Sequence, residues 1–316
     1  MAGNSAMSSL EQALADYLQL RHCLGHDLAD AGRLLPGFVT YLEDHGLSTV
    51  SIEAALDWTQ HPATGAVSTV AARRMTAVRG FARYLAGVDP DTQVPPLGLV
   101  PHRRAWRPPY IYSPADVTAI MDQARTSILS PLRAATYTTV IGLLAASGLR
   151  IGEAIKLDRN DVDWAQQVLF IRESKFGKSR LVPLHPSSMK ALQDYALVRD
   201  AAQPRPNGPS FFVSLTRNRL SYAVVSETFR LLVTATQVGA QAPSPPRLHD
   251  LRHTFAVRTL LAWYRTGEDV QAKIPWLSTY LGHREPSSTY WYLSAAPELL
   301  ALAAQRQQHA WSAVTP

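Results

Sequence analysis

The chain has 316 residues, of which 46% are apolar, and this is enough to bury a core in each of two domains of roughly 150 residues. Disordered and fibrous classes are therefore excluded. The longest nearly apolar stretch, 140–149, is interrupted by glycine and serine and is shorter than the roughly 18 residues of a membrane-spanning helix. The single cysteine, Cys23, excludes an intramolecular disulfide framework, and the first dozen residues lack the features of a secretion signal. We therefore expect a reducing, cytoplasmic location without membrane attachment.

The net charge of +6 is unevenly distributed along the chain. Residues 1–105 hold 8 arginines, no lysine and 10 acidic residues, so the positive surplus belongs to the C-terminal two thirds. A surplus of this kind favours a polyanionic partner such as nucleic acid, although many basic proteins bind no polyanion.

Apolar residues recur at helical spacing in 10–24, 28–42, 52–58 and 70–85, which predicts a helical domain over residues 1–105. A stretch with seven prolines, about 89–114, follows and predicts an interdomain linker. The last of these helices carries four arginines, which either contact phosphates or form a solvated face. We take them as candidate DNA-binding residues: Arg73, Arg74, Arg79 and Arg83.

The second domain, 113–316, reads as helices around one β-hairpin. Helical patterns cover 113–124, 131–146, 187–202, 222–238 and 249–264, and short pieces lie around Trp276 and Ser288. Residues 168–171 and 181–184 predict two strands joined by a lysine-bearing turn at 174–178. The predicted fold class is mainly α with a small β-sheet, in which the second domain is mixed α+β.

Two familiar kinds of site are not supported. Gly177, Lys178 and Ser179 suggest a nucleotide-binding loop, but that motif needs a glycine where this chain has Arg172. His249 and His253 are four residues apart on a predicted helix, yet position 250 is Asp and no cysteine cluster completes a zinc site. We expect neither a metal nor a cofactor.

Six residues in locally distinctive segments suit metal-free phosphoryl transfer. Arginine forks neutralise phosphate oxygens, while lysine, histidine and tyrosine exchange protons or attack phosphorus. Arg150 directly follows a helix end, and His249 and Arg252 share one helix face. The full set is Arg150, Lys175, His249, Arg252, His283 and Tyr292.

The sequence resembles the tyrosine recombinase (phage integrase) family. Four motifs occur in the family's order: SGLRIGEA at 147–154, Lys175 with RLVPL at 180–184, HDLRHTFA at 249–256, and LGH at 281–283 with Tyr292. The resemblance implies a helical core-binding domain that clamps DNA, a catalytic domain, and a nucleoid-associated role in a prokaryote. The stretch from Arg252 to Leu281, which includes 263–276, is longer than is usual for the family and suggests a transposon-borne subgroup.

The resemblance also implies roles for individual residues. Arg150, His249 and Arg252 would hold the scissile phosphate, with His249 exchanging the tyrosine proton and His283 as a second phosphate ligand. Glu153 would support Arg150 structurally, although Arg150 could instead simply cap a helix.

Two residues remain to complete the implied reaction. Lys175 would protonate the leaving 5′-oxygen, and Tyr292 would form a 3′-phosphotyrosyl bond, its phenolate favoured by the nearby arginines. Lys178 is the rival acid, and Lys178 and Arg180 are candidate DNA contacts. Tyr290 is the rival nucleophile, but it lies two residues from Tyr292 on a helix and faces away from it.

The tail, 294–316, predicts an amphipathic helix over 297–311 that needs a partner surface. It packs either on its own domain or, as the resemblance implies, on a neighbouring protomer, giving four subunits on two duplexes of double-stranded DNA. An accessory recombinase or DNA-bending protein is a further expected partner. The alternatives to recombination are topoisomerase-like strand relaxation and a non-catalytic DNA-binding accessory role.

Overall fold

The computed structural model describes residues 9–26, 28–60, 68–100, 107–172 and 179–283, together with 285, 287, 289, 290, 292 and 299. The chain divides into two compact units, Met1–Trp106 and Arg107–Pro316. Within the described residues, no helix is both long and apolar enough to cross a membrane.

The first unit is helical, as predicted. Each helix directs an apolar stripe inward, and side chains such as Leu35, Phe38, Val78 and Phe81 are fully buried in the resulting core. Its helices are α1 (Ser9–Cys23), α2 (Ala29–Asp44), α3 (Ile52–Gln60) and α4 (Ser68–Leu85).

The proline-rich stretch has no helix or strand in its described parts before Pro114. Its first part is held to α4 by Arg79, which donates to the carbonyls of Pro95 (2.8 Å) and Pro96 (2.9 Å). Its last part is held in the second unit by Tyr112, which is 1% exposed. The backbone N–H of Tyr112 donates to Thr254 Oγ1 (3.0 Å), and its hydroxyl donates to the carbonyl of Arg247 (3.1 Å).

The second unit places helices around a small antiparallel sheet, which confirms the predicted fold class. The helices are α5 (Pro114–Ser127), α6 (Pro131–Ser147), α7 (Ile151–Lys156), α8 (Pro186–Ala202), α9 (Tyr222–Thr236), α10 (Leu248–Arg265) and α11 (Val270–Leu281). The strands are β1 (Val162–Asp163), β2 (Val168–Ile171) and β3 (Arg180–Pro183).

The predicted hairpin is β2 and β3, and β1 adds a third strand in the order β1-β2-β3. Leu169 pairs with Val162 on one side and with Val182 on the other. Leu169 and Val182 are completely buried, so one face of the sheet packs on the core. Residues 173–178, which join the two strands, lie outside the described part of the chain.

Two helices differ from the sequence prediction. The short helix α7 was not predicted, and α11 is a full helix of 12 residues where only a short piece around Trp276 was expected. Asp269 caps α11 by accepting a hydrogen bond from Ala272 N (3.1 Å), and the helix continues through Pro275. Both helices border the site described next.

Candidate active site

Arg150 is held at the start of α7 by the preceding turn and by Glu153. Helix α6 ends at Gly148, whose φ of 62° is left-handed, and the chain re-enters a helix after Arg150. The backbone N–H of Arg150 donates to Glu153 Oε2 (2.9 Å), and its Nη1 donates to Glu153 Oε1 (2.7 Å). Its Nη2 donates to the carbonyl of Gly282 (3.1 Å), so the guanidinium is fixed on two sides.

Glu153 is a buried carboxylate shared by two arginines. Arg180 reaches it from β3, with Nη1 at 3.1 Å from Oε1 and Nη2 at 2.9 Å from Oε2. Burial alone would raise the pKa of the Glu153 carboxyl, but the hydrogen bonds and charges of Arg180 and Arg150 bring it below its usual value. Glu153 is therefore ionised and anchors both guanidinium groups.

Arg252 is the most deeply buried arginine of the site, at 2% exposure. Its Nη1 donates to the carbonyl of Gly148 (2.7 Å) and its Nη2 to that of Leu281 (2.6 Å). Burial, reinforced by the charge of Arg150, lowers the pKa of Arg252 to about 10, so it is still charged at neutral pH.

The carboxyl end of α11 is where the three arginines meet. Arg180 Nε donates to the carbonyl of Tyr280 (2.7 Å), Arg252 to that of Leu281, and Arg150 to that of Gly282. The last carbonyls of a helix lack partners within it and carry partial negative charge, so they attract cations. This row of carbonyls brings together α7, β3, α10 and the segment that leads to His283.

Two histidines of α10 lie edge to face beside the arginines. The ring centroids of His249 and His253 are 4.8 Å apart. Burial, with the charges of Arg252 and Arg150, lowers the pKa of His249, and burial with the neighbouring charges lowers that of His253 to about 3. Both imidazoles are therefore neutral at physiological pH.

Tyr292 lies between two imidazoles at the centre of this cluster and is 2% exposed. Its ring centroid is 5.5 Å from that of His253 and 6.0 Å from that of His283, which stacks on it at an interplanar angle of 20°. Arg252 makes a side-chain hydrogen bond to the phenol. The rival Tyr290 is 48% exposed.

The pKa of Tyr292 is set by two opposing effects, burial and the charge of the arginines. The charges of Arg252 and Arg150 do lower it, as expected, but burial raises it by more, so the phenol is held above its ordinary pKa. The arginines favour the phenolate as expected, but burial outweighs them in the resting protein. Tyr292 is a neutral phenol until a base accepts its proton.

His283 follows Gly282, the left-handed residue that ends α11. Its Nδ1 is within hydrogen-bond distance of Thr289 Oγ1 (2.7 Å). Burial and the nearby arginines lower the pKa of His283 to about 4. The structure thus places His283 beside Tyr292 as a neutral, oriented imidazole.

The structure brings together five of the six residues proposed for catalysis: Arg150, His249, Arg252, His283 and Tyr292. Lys175 and its rival Lys178 lie outside the described residues, as does most of the tail 294–316. Leu299 is described and is 1% exposed, in an apolar cluster with Tyr292 and Leu281.

The candidate DNA-binding arginines differ in their exposure and in their partners within the protein. Arg73 pairs with Asp30, Arg74 lies over the Trp58 ring at 4.8 Å, and Arg83 is exposed. Arg79 is 9% exposed and donates to the linker carbonyls. Arg180 likewise uses its donors inside the protein, on Glu153 and Tyr280.

Sequence reasoning missed the contacts of three residues. Arg180 was selected as a DNA contact and not as the partner of Glu153, which lies 27 residues away. His253 entered the sequence analysis only as a possible zinc ligand, although its position four residues after His249 could have indicated that it contacts the same site. Nothing in the sequence indicated that Thr289 would contact His283. Within the described part of the chain, no group of three His, Cys, Asp or Glu residues could hold a metal ion.

This fold is that of a tyrosine recombinase. The chain belongs to the phage integrase family, whose sequence profile matches residues 112–298. Members of this family are site-specific recombinases.

Similar proteins extend over nearly the whole chain. The protein y4rB of Sinorhizobium fredii, named as an integrase/recombinase, is 41% identical over 96% of this chain and 99% of its own length. The tyrosine recombinase XerD of Bradyrhizobium diazoefficiens is 27% identical over 95% of this chain and 89% of its own length.

Two solved structures share the fold. The XerH site-specific recombinase bound to palindromic difH substrate has a TM-score of 0.64 at 16% identity, covering 96% of this chain and 86% of that chain. The Tn1549 transposon integrase in complex with transposon right end DNA has a TM-score of 0.64 at 16% identity, covering 93% and 98%.

Proposed function

We propose that this chain is the site-specific recombinase of a mobile element, which cuts and rejoins double-stranded DNA through a 3′-phosphotyrosyl intermediate. The observation that carries the proposal is Tyr292, buried against Arg252 between the imidazoles of His253 and His283. A buried tyrosine next to fixed guanidinium groups suits attack on a phosphodiester. The similarity to y4rB, which is named as an integrase/recombinase, supports a role in DNA integration and recombination.

The scissile phosphate is bound by Arg150 and Arg252, with His249 and His283 as further ligands. Guanidinium forks neutralise the charge that develops on the non-bridging oxygens during displacement. Since these arginines are held by Glu153 and by backbone carbonyls before DNA arrives, little reorganisation is needed. With Nδ1 of His283 held by Thr289, its Nε2 is the atom that contacts the phosphate.

Cleavage then transfers two protons. The Tyr292 oxygen attacks phosphorus while its proton passes to the neutral imidazole of His249, and Lys175 gives a proton to the departing 5′-oxygen. The new bond joins Tyr292 to the 3′-phosphate and the bond to the 5′-oxygen breaks. Rejoining is the same step in reverse, and because the phosphoester energy is retained in the covalent intermediate, no ATP is needed.

The remaining parts of the proposal concern assembly. The helical domain predicted over residues 1–105 acts as the core-binding domain that clamps DNA, with Arg73, Arg74 and Arg83 as phosphate contacts. Four protomers act on two duplexes, with tails exchanged between neighbours, and an accessory recombinase or DNA-bending protein assists. Light-scattering mass measured with element-end DNA tests the four-subunit assembly.

The experiment that tests the activity is incubation of the purified protein with candidate element-end duplexes, followed by denaturing electrophoresis. We expect a denaturant-resistant protein–DNA adduct on cognate ends. Relaxation of supercoiled DNA of any sequence, without recombinant products, would point to a topoisomerase instead. Binding without an adduct on any cognate end would point to an accessory protein.

A further inference from the structure

We infer that Arg180 is a positioning residue for Arg150, acting through the buried carboxylate of Glu153. This inference rests on the proposed function, in which Arg150 binds the scissile phosphate. It differs from the sequence expectation that Arg180 contacts DNA directly.

The first support is the set of hydrogen bonds that the carboxylate of Glu153 accepts. Its side chain is 6% exposed and accepts from four donors: the backbone N–H and Nη1 of Arg150, and both terminal nitrogens of Arg180. Each carboxylate oxygen therefore holds one donor from each arginine. Arg180 is the bidentate partner, and this leaves a single side-chain bond from Arg150 to the carboxylate.

The second support is the confinement of Arg180 itself. Its side chain is 10% exposed, and its Nε donates to the carbonyl of Tyr280 (2.7 Å). All three of its nitrogens thus bond to protein atoms. A Cβ built on Gly282 would lie 2.8 Å from Arg180 Nη1, so the guanidinium packs directly against the end of α11. Arg180 faces the interior, while the Arg150 side chain is 25% exposed.

The consequence of losing Arg180 follows from charge. A buried carboxylate that loses two of its four donors needs replacements, because an under-satisfied buried charge is costly. Arg150 is the neighbouring cation, and it would turn to pair with both oxygens of Glu153. The guanidinium would then leave the carbonyl of Gly282 and the orientation required for phosphate. Arg180 therefore keeps Arg150 available to DNA.

The test uses Arg180→Met and Arg180→Lys in the full-length protein, with Arg172→Met as the matched control. Arg172 also pairs with a buried carboxylate, that of Asp161, and lies just beyond β2, but its side chain is 51% exposed. Half-site affinity and the rate of adduct formation at saturating DNA are measured separately. The wild-type adduct reports on the proposed function, and the variants' rates relative to wild type report on Arg180.

For Arg180→Met we expect cleavage at saturating DNA to fall about 100-fold, the loss that a misplacement of about 1 Å brings. Half-site affinity should stay within about threefold, because affinity comes from many phosphate contacts. Adding Glu153→Gln to Arg180→Met removes the negative charge that would capture Arg150. The double variant should therefore cleave about tenfold faster than Arg180→Met, a response that a merely structural role would not give. Arg172→Met should cleave at the wild-type rate.

Three results would overturn the inference. A rate at saturating DNA that is normal for Arg180→Met, with affinity reduced, would make Arg180 a phosphate contact. If Glu153→Gln does not raise the cleavage rate of a folded Arg180→Met protein, the charge of Glu153 is not what displaces Arg150. If Arg180→Met does not fold, Arg180→Lys is the deciding variant, because lysine keeps the positive charge but cannot bind both carboxylate oxygens as the guanidinium fork does. We then expect slower cleavage at unchanged DNA affinity. A wild-type cleavage rate for Arg180→Lys would refute the inference.

Discussion

Gly148 joins the end of α6 to the arginine cluster, and Gly148→Ala is the substitution that tests this junction. Its φ of 62° is left-handed, a conformation that an alanine adopts at a cost of about 1 kcal/mol. An added Cβ would lie 2.6 Å from Phe255 Cδ1 and 3.1 Å from Leu281 Cδ2. Phe255 is held in its own stacked contact with Tyr280, with ring centroids 5.5 Å apart, which limits its retreat.

The magnitude follows from these two effects. Overpacking of a well-filled core costs about 1–3 kcal/mol, in addition to the conformational cost. We therefore expect Gly148→Ala to lower the free energy of unfolding by about 2–4 kcal/mol. Since the carbonyl of Gly148 accepts from Arg252, the same shift should slow adduct formation.

The matched control is Gly152→Ala, four residues along the chain. Gly152 lies inside α7, and a Cβ there would meet no atom within 4 Å. Alanine is favoured over glycine in a helix by about 0.5–1 kcal/mol, so this variant should be as stable as wild type or slightly more. Urea denaturation followed by circular dichroism compares the variants. Equal unfolding midpoints for the two alanine variants would refute the reasoning.

Three further predictions concern the chemistry. Tyr292→Phe should abolish the adduct while half-site affinity in a gel-shift assay stays near wild type, and Tyr290→Phe should still cleave; exchanged phenotypes would show that the wrong tyrosine was chosen. Lys175→Ala should slow cleavage, and a substrate with sulfur at the 5′-bridging position, which leaves without a proton, should restore much of the rate; equal rescue of Lys178→Ala would show that general hairpin charge, and not one acid, matters. Because burial and Arg252 lower the pKa of His249, the fall in cleavage rate toward acid pH should be centred below the ordinary histidine pKa of 6.5. An acid limb centred above pH 6.5, or one that persists in His249→Gln, would contradict the assignment of His249 as the base.

Elements with strong local patterns could be predicted from the sequence. The apolar stripes of the helices in the first unit, and the alternating apolar residues in β2 and β3, mark one face of each element. In the structure, that face is the buried one. Helix α7 escaped prediction because six residues are too few for a period to show. Helix α11 is longer than the sequence pattern indicates: it begins after its cap at Asp269 and continues through Pro275, a residue that is unfavourable inside a helix.

The candidate site was predictable as a set of residues but not as an electrostatic balance. Arg150, His249, Arg252 and Tyr292 stand in motifs that the resemblance to the family identifies. The direction of the Tyr292 pKa is the difference between burial and attraction by the arginines, and only packing decides which is larger. The pairing of Arg180 with Glu153 joins two segments that no local pattern relates.

Tyr112 gives the end of the linker a mechanical attachment to the catalytic helix. Its backbone and hydroxyl bind Thr254 and the carbonyl of Arg247, and Arg258 donates to its carbonyl (2.8 Å), so all three contacts are with α10 or the residue before it. Arg247 and Thr254 bracket His249 and Arg252 along the chain. A force that pulls on the linker therefore acts on the two turns of α10 that carry His249 and Arg252. To move Tyr112, such a pull must either break its hydrogen bonds or drag the start of α10 along with it.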